Sequence, residues 1–297
     1  MSRSSEARAG TVAIVGRPNV GKSTLVNALV GEKVSIVSSK AHTTRHRILG
    51  VLNRGGSQAV FVDTPGHARR SKHALHRLMA RIIHEALESS DLAVLVIDAK
   101  RITPEDERLF ALVAERRGRA ILALNKIDRL TSRVQLLPRL AAVAELPFLA
   151  YVPISARSGE NLPALVDAIF ANLPEGPALY PLDMTTDKDA RFRAAEIVRE
   201  KLLEHLHREI PYGLTVEIEH MQKDADGRWL AHALIWIERA SHKPIVIGKE
   251  GQLLKRVGHD ARIELTELLG GRVHLELWVK IREHWLDDER ELQRLGY

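Results

Sequence analysis

The sequence predicts an open, doubly wound α/β sheet followed by a smaller α+β domain. Three observations carry this reading. Residues 11–173 alternate short apolar runs with helical stretches, the order that builds a mostly parallel sheet covered by helices on both faces. Leu173-Pro174-Glu175-Gly176-Pro177 then interrupts the alternation with turn-forming residues. Beyond residue 189 the order changes to helix, two strands, helix and strand.

In the first part, strands are expected at Ala13–Val15, Ile48–Asn53, Ala59–Asp63, Leu92–Asp98, Ala120–Asn125 and Tyr151–Ser155, each a short run rich in apolar or β-branched residues. Helices are expected at Lys22–Val30, His73–Ser89, Pro104–Arg116, Leu136–Leu146 and Leu162–Asn172. Thr103-Pro104-Glu105-Asp106 makes a good helix start: a capping hydroxyl, proline at the first helical position, then acids in the first turn. We place this domain at residues 8–175 and read 176–188, turn-rich and weakly periodic, as a linker. The second domain, 189–297, opens with a helix to about Arg208, carrying Ala194, Ala195, Ile197, Val198, Leu202 and Leu206 at helical spacing. Strands Leu214–His220 and Trp229–Ile237 follow, joined by an Asp224-Ala225-Asp226-Gly227 turn. An apolar strand Ile245-Val246-Ile247 is expected next, then Gly248-Lys249-Glu250-Gly251, a helix to about Leu269, a Gly270-Gly271 stop and a strand Val273–Ile281.

Composition narrows the function classes. The 297 residues suffice for two domains with separate cores, and 45% hydrophobic with 28% charged residues describes a globular chain. Without cysteine there are no disulfides or thiolate metal sites, and a reducing compartment is the expected home. Met1 to Gly10 contains no apolar run, so no secretory signal is expected, and the longest apolar run, Leu92–Ile97, is too short to span a bilayer. Net charge is +6 and the pI near 9.6, which suggests a polyanionic partner. Residues 1–187 carry 25 basic against 18 acidic side chains, and residues 188–297 carry 19 against 20. Within the second domain, Arg239, Lys243, Lys249, Lys255, Arg256 and Arg262 outnumber Glu250 and Asp260 over residues 239–262. Screening confines each charge to about 8–10 Å, so this local surplus matters more than the domain total.

Gly16-Arg17-Pro18-Asn19-Val20-Gly21-Lys22-Ser23 fits the pattern of Gly, four residues, then Gly-Lys-Ser, between an apolar strand and a helix that continues through Thr24. In that context, backbone N–H groups of residues such as Asn19, Val20, Gly21 and Thr24 wrap phosphates, and the positive end of the helix favours their charge. Lys22 would reach the β- and γ-phosphates, and the Ser23 hydroxyl would ligate magnesium. Asp63-Thr64-Pro65-Gly66 ends a strand about forty residues later. Asp63 could hold magnesium through a water, and the Gly66 N–H could grip a γ-phosphate. Asn125-Lys126-Ile127-Asp128 follows another strand. Guanine presents N1–H and N2–H₂ donors that the Asp128 carboxylate can accept together, whereas adenine offers no such pair. Lys126 would lie across the base and Asn125 would tie this loop to the phosphate loop. After the last strand, in Ser155-Ala156-Arg157, the Ala156 N–H could donate to guanine O6. Together these motifs point to a GTP and GDP site with Mg²⁺.

These residues resemble the translation-factor-related GTPases, and more specifically the Era family of bacterial ribosome-assembly GTPases. The resemblance covers nearly the whole chain. It rests on Gly16 to Thr24, Thr43-Thr44-Arg45-His46-Arg47-Ile48, Asp63 to Gly66, Ala195-Glu196-Ile197-Val198-Arg199-Glu200-Lys201, Ile247 to Gly251, Trp285-Leu286-Asp287-Asp288-Glu289-Arg290 and Leu295-Gly296-Tyr297. It implies that Thr43-Thr44 lies in the first switch, where one hydroxyl ligates magnesium in the GTP state; Thr44 is favoured. Asn19 matches a position that helps hold potassium in some relatives, and an asparagine suited to a tight turn is an equal alternative. After Gly66 comes His67, where the family usually has an apolar residue. It could orient water, but a switch-loop histidine without a role is the favoured reading.

Gly248-Lys249-Glu250-Gly251 lets the chain approach a nucleic-acid backbone closely, and Lys249 supplies charge there. In its setting of helices and strands it looks like a KH domain of the bacterial, type II topology. Ile247, Gly248, Lys249, Glu250, Gly251, Lys255 and Arg256 are the candidate RNA contacts. Ile245, Ile247, Leu253 and Val257 could line an apolar groove or belong to the core. The histidines His42, His46, His67, His73, His76 and His84 lack zinc-enzyme spacing, and we expect them on solvated surface. The expected protein is a GTP-hydrolysing switch, with Lys22, Thr44 and Gly66 as catalytic groups and Ser23, Thr44 and Asp63 around the metal. The resemblance points its RNA-binding domain to the 3′ end of small-subunit 16S rRNA and to assembly of the small ribosomal subunit. A cytoplasmic monomer is expected, with peripheral contact to the inner membrane left open. Two rivals stand beside it: a constitutive RNA-binding scaffold with a structural nucleotide, and a GTPase of tRNA modification or of the membrane whose second domain docks proteins.

Overall fold

Val12 and Ile14 pack on one side of the first strand, Ala13 and Val15 on the other, and all four are fully buried. Burial on both faces is the condition of a central parallel strand, and it explains why these runs read as continuously apolar. The computed structural model describes residues 7–66, 73–114 and 119–297, with Ala114 described by its backbone alone. It divides into two units: of the described residues the first takes 7–35, 44–66, 79–114 and 119–187, and the second takes 36–43, 73–78 and 188–297.

The first unit holds a six-stranded sheet. Its strands are β1 (Ala9–Val15), β2 (Ile48–Arg54), β3 (Ser57–Asp63), β4 (Leu92–Asp98), β5 (Ala120–Asn125) and β6 (Ala150–Pro153), in the order β2-β3-β1-β4-β5-β6. All neighbours run parallel except β2 and β3, which form an antiparallel hairpin. One face packs on α1 (Lys22–Val30) and α5 (Leu162–Asn172) through Leu25, Val26, Leu29, Leu165 and Ile169. The other packs on α2 (Ala74–Ser89), α3 (Pro104–Ala114) and α4 (Leu136–Val143) through Ile83, Leu87, Leu109, Val113 and Val143. Thr103 and Asp106 cap α3 reciprocally, the Thr103 N–H reaching Asp106 Oδ2 at 2.8 Å.

Residues 176–188, expected as a linker, are hydrogen-bonded to the first unit through Asp187. The fully buried Gln58 accepts from the Leu179 and Tyr180 N–H groups and donates to the Tyr180 carbonyl. Val51 N–H donates to Thr185 O, and Leu49 N–H to Asp187 Oδ1 at 2.9 Å. This segment satisfies the outer edge of β2, where a hairpin strand would otherwise leave its ladder groups open.

The second unit has its own core. Helix α6 (Ala190–His205), capped by Asp189, packs with α8 (Gln252–Leu269) on one face of the sheet β7 (Leu214–Lys223), β8 (Trp229–Ile237) and β9 (Val273–Ile281). β7 and β8 are antiparallel, and β9 lies parallel to β8. Ile245-Val246-Ile247, expected as a strand, belongs instead to the five-residue helix α7 (Lys243–Ile247). Pro244 pre-sets its first turn, and burial follows the helix: Val246 is fully buried while Ile245 is exposed. Three β-branched residues carry too little periodicity to separate the two states. A last short helix, α9 (Glu289–Arg294), follows Asp288, which caps it through the Arg290 and Glu291 N–H groups.

Candidate functional site

The loop 16–21 joins β1 to α1, and sterics select its glycines. A Cβ on Gly16 would stand 2.4 Å from the Val96 carbonyl oxygen. One on Gly21, which has φ +100°, would stand 2.4 Å from Asn125 Nδ2. Gly66 is pinned in the same way, with a Cβ 2.8 Å from the Pro18 backbone. Lys22 folds back over the loop, its Nζ donating to Gly16 O at 3.1 Å and Arg17 O at 3.2 Å. Burial lowers the pKa of this ammonium to about 8; the Asp63 carboxylate opposes that shift and Arg17 adds to it. A cation so desolvated gains from any polyanion that enters the loop.

Beside Lys22, three oxygen-bearing side chains converge. Ser23 Oγ donates to Asp63 Oδ2 at 2.7 Å and lies 2.9 Å from Thr44 Oγ1. Asp63 Oδ1 is buried and accepts no hydrogen bond, and burial, opposed by Lys22, raises the pKa of that carboxyl. Two hydroxyls and a carboxylate make a hard-oxygen set of the kind Mg²⁺ takes, and the orphaned Oδ1 gives that set a reason. The two threonines expected in a first switch differ in their surroundings. Thr44 is buried at Ser23, whereas Thr43 Oγ1 donates to Lys40 O at 2.7 Å. Thr64 donates to Ile14 O and so fixes the end of β3 on β1.

Asn125 ties three loops together. Its Nδ2 donates to Val20 O at 2.8 Å, and its Oδ1 accepts from Lys126 N at 2.8 Å and Ala156 N at 2.9 Å. The Ala156 N–H, expected to face guanine O6, is thus buried and given to Asn125. Asp128 is exposed, with one oxygen oriented by the Ser155 hydroxyl at 2.7 Å. Lys126, at φ +68°, spans from Asp98 Oδ2, 3.0 Å away, to the Asn19 carbonyl, and Asn19 itself has φ +63°. Arg157 is exposed beyond them. His67 lies outside the described residues.

In the second unit, Gly248 (φ +78°) and Gly251 (φ +75°) bracket the turn between α7 and α8. A Cβ on Gly248 would stand 2.6 Å from Leu253 Cβ, so the turn closes tightly on the first turn of α8. Lys249, Glu250, Lys255 and Arg256 are exposed around it. Of the groove candidates, Val257 is fully buried core, Ile247 and Leu253 are partly buried against it, and Ile245 is half exposed. Several histidines expected on solvated surface are gathered instead. His42, His73, His76 and His242 line a cavity of about 340 Å³ in the second unit, with the His42 and His76 rings 4.6 Å apart.

Sequence reasoning assigned no role to Asp98, Ser155's hydroxyl or the charged residues Glu196, Arg199 and Glu200 of α6. The last three are buried, a fact that a helical apolar stripe on the same element conceals. Among the described residues no helix is long and apolar enough to cross a membrane.

Comparison with known proteins extends the geometry. Residues 11–126 match the family described as 50S ribosome-binding GTPase, and residues 209–286 match the KH domain. The chain is 44% identical to GTPase Era of Glaesserella parasuis, covering 97% of this chain and 96% of that protein. It is 46% identical to GTPase Era of Pseudomonas savastanoi over 100% and 99% of the two. An Aquifex aeolicus Era variant bound to GDP·AlF₄⁻ superposes with a TM-score of 0.94 at 41% identity, covering 98% of this chain and 99% of that one. An Era in complex with MgGDPNP and nucleotides 1506–1542 of 16S ribosomal RNA gives 0.95 at 40% identity with the same coverage. The helix, strand, strand, helix, helix, strand order of the second unit is the type II KH topology. The chain belongs to the Era family, GTP-hydrolysing enzymes in which a P-loop GTPase domain precedes a KH domain.

Proposed function

We propose that this GTPase is a switch whose KH domain binds the single-stranded 3′ end of small-subunit 16S rRNA during assembly of the small ribosomal subunit. The observation that carries the reading is the Lys22–Ser23–Thr44–Asp63 cluster in the same chain as the Gly248–Gly251 turn. The family relative solved with MgGDPNP and 16S rRNA nucleotides supports it.

The chain's own groups divide the chemistry. The loop amides and Lys22 hold the β- and γ-phosphates and neutralise charge that develops as water attacks the γ-phosphorus. Ser23, Thr44 and, through a water, Asp63 would hold Mg²⁺, which would supply positive charge to neutralise the phosphates. The Gly66 N–H fixes the γ-phosphate, and its close packing on Pro18 ties that contact to the phosphate loop. Asp128 selects guanine by accepting N1–H and N2–H₂; with adenine its charge stays unpaired. Asn125 holds Ala156 and Val20 so that the base and phosphate contacts keep one geometry. Asn19 is the position for potassium, tested by hydrolysis rates in K⁺ against Na⁺. His67 orients no water in this reading, and single-turnover rates of His67→Leu are expected near wild type; a large fall would assign it that role.

For RNA, the Gly248 and Gly251 conformations bring backbone against backbone. Lys249, Lys255 and Arg256 neutralise phosphates, and Ile245 with Ile247 offers an apolar edge for unstacked bases. The protein acts in the cytoplasm as a monomer, and any membrane contact is peripheral. The deciding experiment is affinity for a 3′-terminal 16S rRNA oligonucleotide with GDP and with a non-hydrolysable GTP analogue, at fixed salt. Tighter binding with the analogue supports the switch. Equal affinity returns the scaffold reading, and no binding returns the protein-docking one.

A further inference from the structure

Helix α6 buries three charged residues on one side. Glu196, Arg199 and Glu200 are 7%, 1% and 3% exposed. Arg199 is forked onto Glu196, with Nε to Oε1 at 2.7 Å and Nη2 to Oε2 at 2.6 Å. Burial works against the guanidinium's charge, and the Glu196 carboxylate more than offsets it, so Arg199 stays cationic. Such a buried pair adds little to stability, because desolvation consumes most of its attraction, and an apolar pair of equal volume would serve a core as well. What distinguishes this pair is its target: Arg199 Nη2 donates to the Thr43 carbonyl.

The rest of the segment 36–43 is held by the same helix. Glu200 Oε1 accepts from the Val37 N–H at 2.7 Å, and Lys40 Nζ reaches His207 Nδ1 at 3.1 Å. The segment is therefore anchored near both ends. Its last carbonyl, that of Thr43, belongs to the peptide that carries the Thr44 nitrogen, and Thr44 Oγ1 is 2.9 Å from Ser23 Oγ. Fixing that peptide plane fixes where the Thr44 side chain starts. On its other side Glu200 pairs with Lys201, which reaches Glu264 of α8 at 2.9 Å, so α8, the helix opened by the Gly248–Gly251 turn, is tied to the same charged row.

We propose that Arg199, oriented by Glu196, is a positioning residue for GTP hydrolysis: it sets the Thr43–Thr44 peptide and thereby the Thr44 hydroxyl. The inference rests on the assignment of Thr44 to the metal and γ-phosphate. It makes α6 of the KH unit a determinant of hydrolysis rate without any contact to nucleotide.

The test uses the full-length chain. In the paired variant Glu196→Leu with Arg199→Met, no buried charge is stranded. Single-turnover GTP hydrolysis should fall about tenfold to a hundredfold, the scale of a small misplacement of a catalytic group. The Mg²⁺ concentration for half-maximal rate should rise, while GDP affinity stays within about twofold because GDP presents no γ-phosphate. Arg199→Lys, which keeps one donor within reach of Thr43 O, should recover part of the rate and decides the matter if the paired variant fails to fold. Unchanged rate and Mg²⁺ dependence in these variants would overturn the proposal. Thr44→Ala separates the two levels: if it leaves both readouts unchanged, the Thr44 assignment itself falls.

Discussion

Asn125→Ala should damage the nucleotide site more than its size suggests. The side chain satisfies three backbone groups in three loops: Val20 O, Lys126 N and Ala156 N, all at 2.8–2.9 Å. Alanine strands all three, and a buried group left without its partner costs about 1–3 kcal/mol. Even at the low end the substitution removes about 3 kcal/mol. For a unit of this size that lowers the melting temperature by about 6–12 °C. If half of that loss is expressed as disorder of the base-binding loops, GDP affinity falls about tenfold. Asp128→Ala is the contrast. Asp128 is exposed and, among the described residues, is hydrogen-bonded by the Ser155 hydroxyl, so its loss should cut GDP affinity while leaving the nucleotide-free melting temperature within about 2 °C of wild type. Fluorescent-GDP titration and thermal unfolding of both apoproteins provide the numbers. Equal melting temperatures for the two variants, or wild-type GDP affinity in Asn125→Ala, would refute the account of Asn125 as the tie between loops.

Other outcomes follow from single contacts. Ser23→Ala removes the hydroxyl between Asp63 and Thr44, so hydrolysis should need at least about tenfold more Mg²⁺, read from rate against metal concentration. Gly248→Val combines a strained φ of +78° with a Cβ 2.6 Å from Leu253 Cβ, and should cost both RNA binding and about 2–3 kcal/mol of KH stability. Lys249→Asp, on an exposed side chain, should weaken RNA binding and flatten its salt dependence without moving the KH unfolding transition. Burial pushes the Asp287 carboxyl up, and hydrogen bonds from His73 and the Ala74 N–H more than offset this, leaving it below the ordinary carboxylate range. A depressed folded value means that the stabilisation is present above about pH 4 and lost as pH falls through that lower value. Asp287→Asn should therefore reduce the dependence of melting temperature on pH in that acid window.

Legibility in the sequence tracked how local each constraint is. Gly16, Gly21 and Gly66 were readable because a Cβ at any of them collides with its neighbours, so composition alone marks the loop. The inner strands β1, β4 and β5 were readable because burial on both faces demands unbroken apolar runs. Ile245-Val246-Ile247 was misread since three β-branched residues suit either state and Pro244, one residue earlier, decides it. The strap along β2 left no pattern at all. Its hydrogen bonds join backbone groups of 179–185 and the Asp187 carboxylate to Gln58 and to β2, and a polar residue inside a strand does not announce its partner. The pairing of the Ala156 N–H with Asn125 was illegible for a related reason: the two are 31 residues apart, and only the fold brings them together.

Arg199 exposes the harder limit. Within α6 the apolar residues give a satisfactory stripe, and charged residues between them read as the solvated face. Yet Glu196, Arg199 and Glu200, at spacings of three and four, form a buried second stripe. In addition to the stripe's own ion pairs, segment 36–43 covers it with a carbonyl and an N–H of matching polarity. A charge pattern can therefore report a partner segment more than 150 residues away in the chain, and no window of local sequence contains both halves. That the partner is the stretch leading directly into Thr44 gives this charge a part in the chemistry as well as in packing. If Arg199 served packing alone, a pair of apolar residues would do as well, and the Glu196→Leu with Arg199→Met chain would hydrolyse GTP at the wild-type rate.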